Sequence, residues 1–211
     1  MGIPTVLNSE LKPKRKGDRG KMRGRSEIKE LLMLQILNRE GPIGRYRLKD
    51  IMGLSEHEGL VRQMLVDLQK QGYISASKSG CVLTQNGKTL LVKRLKALHI
   101  ADIKPFDSPI FKAGPVSIGL HLQNRADKID SAMKTRDIAI RGGATGATVI
   151  LFKEGKLSIP STHPDYLSEK LNLAKKIRES FNLEDNDVIV IVSAEDEWRS
   201  FEASITIAKA S

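Results

Sequence analysis

The sequence predicts an α+β fold class, with three helices and a β-hairpin in the first half and a small α/β sandwich in the second. Three observations carry that expectation. Apolar residues recur at helical spacing between residues 26 and 71, and short runs punctuated by Gly and Ser follow at 73–84. Beyond residue 115, helix-like and strand-like segments alternate. At 211 residues the chain is long for one domain and comfortable for two small ones. Its 40% hydrophobic content suffices for packed cores.

Residues 1–24 lack periodicity and carry Lys12, Lys14, Arg15, Lys16, Arg19, Lys21 and Arg23, with Arg25 just beyond. Pro13, Gly17, Gly20 and Gly24 are interspersed, so the stretch reads as a flexible basic arm. A helix is expected from Ser26, through Ile28, Leu31, Leu32, Leu34, Gln35, Ile36 and Leu37, to a glycine stop near Gly41. A short second helix spans residues 45–52 and closes at Gly53. The third has the strongest signal. Ser55 and Glu58 fit a capping box, and Val61, Met64, Leu65 and Leu68 then share one face before Gly72. Residues 73–76 and 81–84 read as hairpin strands about a turn at Ser77–Gly80. Asn86-Gly87 starts another turn, and Leu90, Leu91, Leu95 and Leu98 mark a fourth helix.

Residues 99–114, with Pro105, Pro109 and Gly114, read as a linker. After it come a strand at 116–123, a helix at 126–140, a hairpin of 146–152 with 156–159, a helix at 165–181, and strands at 188–194 and 201–208. That βαββαββ order predicts a ferredoxin-like or related domain over 115–211, with its helices on one sheet face.

The net charge of +10 is unevenly placed. Residues 1–100 hold 20 Lys+Arg against 9 Asp+Glu, whereas residues 101–211 hold 15 against 16. A half that binds a polyanion joined to a neutral half has this signature, and so does a solvated basic tail on an ordinary domain. Aromatics make up only 4% of the chain, too few for the stacking platforms of single-strand binders. One cysteine, Cys81, excludes an internal disulfide and a cysteine-rich zinc site. No apolar run reaches membrane-spanning length and the N-terminus lacks a signal-peptide core, which predicts a soluble, cytoplasmic protein without membrane contact.

Three helices and a two-stranded wing are the parts of a winged helix-turn-helix. Gly53–Ile74, GLSEHEGLVRQMLVDLQKQGYI, resembles the recognition-helix segment of that superfamily, and Leu83–Leu91, LTQNGKTLL, the end of the wing and its following helix. Across residues 25–98 the resemblance implies binding to double-stranded DNA. An α-helix fits the major groove, where Arg reads guanine and Gln reads adenine bidentately. The face opposite the expected core shows His57, Gly59, Arg62 and Gln63 as base-reading candidates, with Gly59 permitting close approach; an ordinary solvated helix face is the alternative. Glu56 and Glu58 count against phosphate proximity. Arg45, Arg47, Lys49 and Lys78, together with Arg23 and Arg25, are phosphate candidates. The arm would lie along the backbone or enter the minor groove, or else be a plain tail.

Arg141, Gly142, Gly143 and Thr145 fall in a glycine-rich stretch whose amides could cradle an anion. A nucleotide fingerprint needs strand, glycines, then helix, and here the expected order is reversed; a glycine C-cap is the simpler reading. His57, His99, His121 and His163 have no metal-ligand spacing, and no catalytic constellation, metal or cofactor site emerges. The whole chain resembles archaeal winged-helix regulators with a C-terminal domain of unknown function, notably over Asp137–Ile150, DIAIRGGATGATVI. That resemblance implies a transcription regulator, expected to be homodimeric, whose second half senses an unknown small-molecule effector or dimerises. The chief rival is a winged helix that binds protein within a larger assembly; a small-molecule enzyme in the second half is a third reading.

Overall fold

The computed structural model describes residues 16–160, 162, 167 and 170–211, the first eleven of them (16–26) by backbone alone. Seven helices and two antiparallel sheets make up the described chain. Helix α1 (Lys16–Glu40) opens earlier than expected, so residues 16–24 continue a helix where the sequence suggests an aperiodic arm. Between Pro13 and Pro42 no proline interrupts the run, and Lys, Arg and Met offset the glycines, each of which costs about 1 kcal/mol in a helix. Residues 1–15 of that arm lie outside the described residues. Every residue from Leu31 to Leu37 is buried, as expected of a helix enclosed on all sides.

Helix α2 (Arg45–Ile51) ends at Gly53, whose φ of +61° turns the chain toward α3 (Glu58–Lys70). The predicted capping box does not form. The N-cap is His57, without a side-chain cap bond; Ser55 lies two residues upstream and donates to Asp50 Oδ1 at 3.0 Å. A tight turn, closed by His57 N–H to Leu54 O at 2.8 Å, delays the helix and carries Ser55 away from its first turn. The buried stripe is the expected one, Val61, Met64, Leu65 and Leu68.

Strands β1 (Ile74–Ser77) and β2 (Gly80–Leu83) form the hairpin, and paired backbone bonds between Ile43 and Cys81 tie it to the α1–α2 connection. Gly80 makes that approach possible. Its φ is +127°, and a Cβ there would stand 2.6 Å from the Ile43 carbonyl. Gly80→Ala should cost about 1–3 kcal/mol in urea unfolding; an unchanged midpoint would mean the hairpin is not held here. Helix α4 (Gln85–Ala97) follows. Asn86-Gly87 is therefore the first turn of a helix rather than a free turn, and Thr84 caps it by accepting from Gly87 N–H.

The expected linker contains a strand. β3 (Ile100–Pro105) pairs antiparallel with β4 (Val116–Leu122) and forms one edge of a five-stranded sheet. A bulge between Ile100 and Asp102 lets Ile100 and Ile103 both face inward, which breaks the alternation that would mark a strand in sequence. Then come a 3-10 turn (Ala126–Lys128), α5 (Ala132–Arg141), β5 (Gly146–Lys153), β6 (Lys156–Ser158), α6 (Leu171–Ser180), β7 (Asp187–Ala194) and α7 (Glu197–Ala210). Two corrections stand out. The helix expected from residue 126 starts only after Ser131, which caps it. The expected final strand at 201–208 is helix α7, capped by Asp196, whose carboxylate accepts from Arg199 N–H at 2.7 Å.

The sheet order is β3-β4-β7-β5-β6, with every pairing antiparallel. β4 and β5 both run antiparallel to β7 and hence parallel to each other, so β7 splits the β4–α5–β5 unit. A ferredoxin-like sheet also splits such units but places its first and third strands at the centre; here the second and fourth of the corresponding strands, β5 and β7, lie between β4 and β6. Helices cover both faces rather than one. Val188, Val190 and Val192 of β7 join a core shared with α1, α3, α5 and α7, while Ile189 and Ile191 join a second core under α6. All eight residues of β7 are buried for that reason. The first core runs without a break from α3 to the sheet, and α1 is its spine. Gln35 Nε2 donates to Ile103 O at 2.8 Å, and Arg39 pairs with Glu197 of α7 at 2.7 Å.

Candidate nucleic-acid interface

Burying one stripe of α3 fixes what the helix presents outward. His57, Gly59, Arg62 and Gln63 are all exposed, together with Leu60, Val66 and Asp67. Among the described residues, none of the second half covers them. Arg62 forms no ion pair or hydrogen bond with another side chain among the described residues. Gln63 is held by its own helix, Nε2 donating to Asp67 Oδ1 at 2.9 Å.

Helix α2 supplies the neighbouring cations. Arg45 pairs with Glu58 at 2.9 Å, and Arg47 with Glu40 at 2.8 Å. The guanidinium of Arg45 and the ammonium of Lys49 sit over the Tyr46 ring, 5.1 and 5.5 Å from its centroid. Exposed pairs of this kind are worth about 0–1 kcal/mol, so a polyanion can displace the carboxylates. Tyr46 is 62% exposed and escaped the sequence reading. The signal was an aromatic between two arginines and a lysine in a chain poor in aromatics. Lys78 stands exposed at the hairpin tip, where Ser77 and Ser79 bond each other and tighten the turn. Arg23 and Arg25 lie on the helical backbone of α1, and their side chains lie outside the described residues.

Partial burial pushes the Cys81 thiol up from its ordinary range, which lowers its thiolate fraction and its reactivity. Alkylation by iodoacetamide at mildly alkaline pH should therefore run slower than for an open peptide thiol; an equal rate would place Cys81 outside the β2 packing.

The glycine-rich stretch is spent on ending α5. Gly143, at φ +100°, donates to Ile140 O and Ala144 donates to Ala139 O, both at 3.0 Å, the paired bonds of a Schellman stop. Gly142 N–H goes to Ile138 O and Thr145 N–H to Ser193 O. All four amides are consumed within the chain and cannot cradle an anion. Gly142 also lets α5 approach α7, since a Cβ would stand 2.9 Å from Ala203 Cα. Arg141, Gly142 and Gly143 line a cleft of about 750 Å³ with Trp198 and Arg199, whereas Thr145 binds back to the sheet. Glu195 is exposed, Asp196 is the cap of α7 and Glu197 is the partner of Arg39, so this acidic run has structural work. Among the described residues, no group of three His, Cys, Asp or Glu is placed to hold a metal ion.

These features define a mixed α+β chain with a free helix face and a cationic surround. Residues 113–211 match a family described as "Domain of unknown function (DUF4443)". The chain is similar in structure to "Hypothetical protein PH0730 from Pyrococcus horikoshii OT3", with a TM-score of 0.66 and 25% identity, covering 86% of this chain and 90% of that one. No curated protein matches it. No helix among the described residues is long and apolar enough to cross a membrane.

Proposed function

We propose that this chain is a transcription regulator that binds duplex DNA, with α1–α4 and the β1–β2 hairpin acting as a winged helix-turn-helix. The supporting observation is the open outer face of α3. A helix of that width enters the major groove, and Arg62 and Gln63 carry the donor and acceptor geometry for guanine and adenine. Arg45, Arg47, Lys49 and Lys78 lie on the elements beside α3 and set register on the phosphates. A homodimer would present two such helices to paired half-sites, with residues 115–211 modulating the fit.

Selection of bound fragments from randomised duplexes tests the proposal directly: enrichment of a motif is expected, and uniform recovery would reject sequence reading. Arg62→Ala should cost about 1–3 kcal/mol of discrimination at one base position while leaving the thermal midpoint unchanged. A fall in stability would mean that Arg62 supports the fold. A second reading, a protein-interaction module in a larger assembly, draws on the exposed Tyr46, Leu60 and Val66 and on the carboxylates of Glu56 and Asp67 around α3. It predicts weak binding of equal strength to all duplexes.

A further inference from the structure

We propose that the outward face of α5 is the surface on which two copies of this chain pair about a two-fold axis, with Arg136 and Asp137 forming the ion pairs at its centre. The paired half-sites of the DNA reading rest on such a dimer; the pairing itself needs no DNA.

Helix α5 packs on β5 and α7, and its Thr135 and Ala139 are buried. The opposite side carries Met133, Arg136, Asp137 and Ile140, all exposed. Their spacing of i, i+3, i+4 and i+7 makes one continuous stripe, the pattern with which a helix covers a neighbour. Met133 is 62% exposed and Ile140 44%. Single exposed apolar residues are ordinary on a protein surface. Here, however, they bracket two opposite charges at the middle of the stripe. Arg136 and Asp137 make no ion pair among the described residues, although other exposed charges of this region do: Lys134 holds Asp130 at 3.6 Å, and Lys153 holds Asp127. Adjacent positions on a helix diverge, so the two cannot pair with each other.

The order apolar, cation, anion, apolar points to the occupant. Read backwards it becomes apolar, anion, cation, apolar, which is its own complement. A second α5 laid antiparallel, with the axis between residues 136 and 137, sets Arg136 on the partner's Asp137 and Met133 on the partner's Ile140. Each contact then occurs twice, as an isologous interface demands. A different protein would have to match the stripe independently, whereas a second copy matches it by symmetry.

The axis is tied to the reading helix through the core. Helix α5 packs on α7, and α7 meets the α2–α3 turn, where a Cβ at Gly53 would stand 3.7 Å from Trp198 Cβ. Pairing through α5 therefore sets the separation of two α3 helices, and with it the half-site spacing.

The test is sedimentation equilibrium of the full chain without DNA, over a series reaching high micromolar concentration. The parent should approach twice its monomer mass. Arg136→Asp and Asp137→Arg each place like charges opposite one another and should weaken self-association about tenfold or more. Mixed in equal amounts, the two variants regain opposite charges at both contacts and should form a heterodimer of near-parental strength. Circular dichroism of each variant should match the parent, since both positions are exposed. The assignment is overturned if the parent stays monomeric, which would leave the stripe to a different protein. It is equally overturned if both variants self-associate as the parent does, or if their mixture stays monomeric. A monomeric parent could still enrich a single half-site in the duplex selection, and a dimeric one could still recover all duplexes equally, so the two proposals fail separately.

Discussion

On the proposed DNA-binding reading, neutralising Arg45, Arg47, Lys49 and Lys78 together should flatten the salt dependence of duplex binding, making the slope of log affinity against log salt shallower by about three to four. Each phosphate contact contributes close to one unit to that slope through counterion release. Two of these cations, Arg45 and Arg47, are paired with Glu58 and Glu40 in the free chain, so part of their gain goes to breaking those bridges. That loss affects affinity at any one salt concentration more than the slope. The measurement is fluorescence anisotropy on a selected duplex across a salt series. Motif preference should survive, since the proposal assigns it to Arg62 and Gln63. An unaltered slope would remove α2 and the hairpin from the interface and leave the protein-binding reading in its place.

Asp187→Ala should cost about 3–5 kcal/mol of folding stability, because it leaves a buried ring nitrogen and two backbone amides without their acceptor, at about 1–3 kcal/mol each. Asp187 is 1% exposed and holds three groups: the His121 ring, the Asn124 amide and the Glu184 amide. Loss of the carboxylate strands all three at the point where β4 ends and β7 begins. Denaturant unfolding followed by circular dichroism reads the effect, and a change under about 1 kcal/mol would show that water replaces the carboxylate. Asp187→Asn keeps the volume and one acceptor and should fall between the parent and the alanine variant.

How far the sequence reaches depends on how many sides of an element are buried. Helix α3 has one packed face and one open face, so Val61, Met64, Leu65 and Leu68 appear at helical spacing and the candidate readers could be placed opposite them. The glycine stop at 142–143 was equally legible, because the order of helix, glycines and strand is local. Helix α7 was misread for the opposite reason. Phe201, Ala203, Ser204, Ile205, Ile207 and Ala208 are all buried between the sheet, α1 and α5. An element enclosed that fully loses its amphipathic period, and the β-branched run Ile205-Thr206-Ile207 then suggests a strand. The cap at Asp196 was the local sign that a helix followed.

The amphipathic helices of the first half, the glycine stop of α5 and the cationic bias of the first half were determined by the sequence itself, since each arises from neighbours within a few residues. The continuity of the core was decided only in three dimensions. β3 is a strand because a bulge turns Ile100 and Ile103 toward α1 and the sheet, and β7 takes the sheet centre because both of its faces find apolar cover. His121 and Asp187 stand 66 positions apart and meet only through the β4–β7 register. Local periodicity records which face of an element avoids water; it cannot record which distant face will cover it.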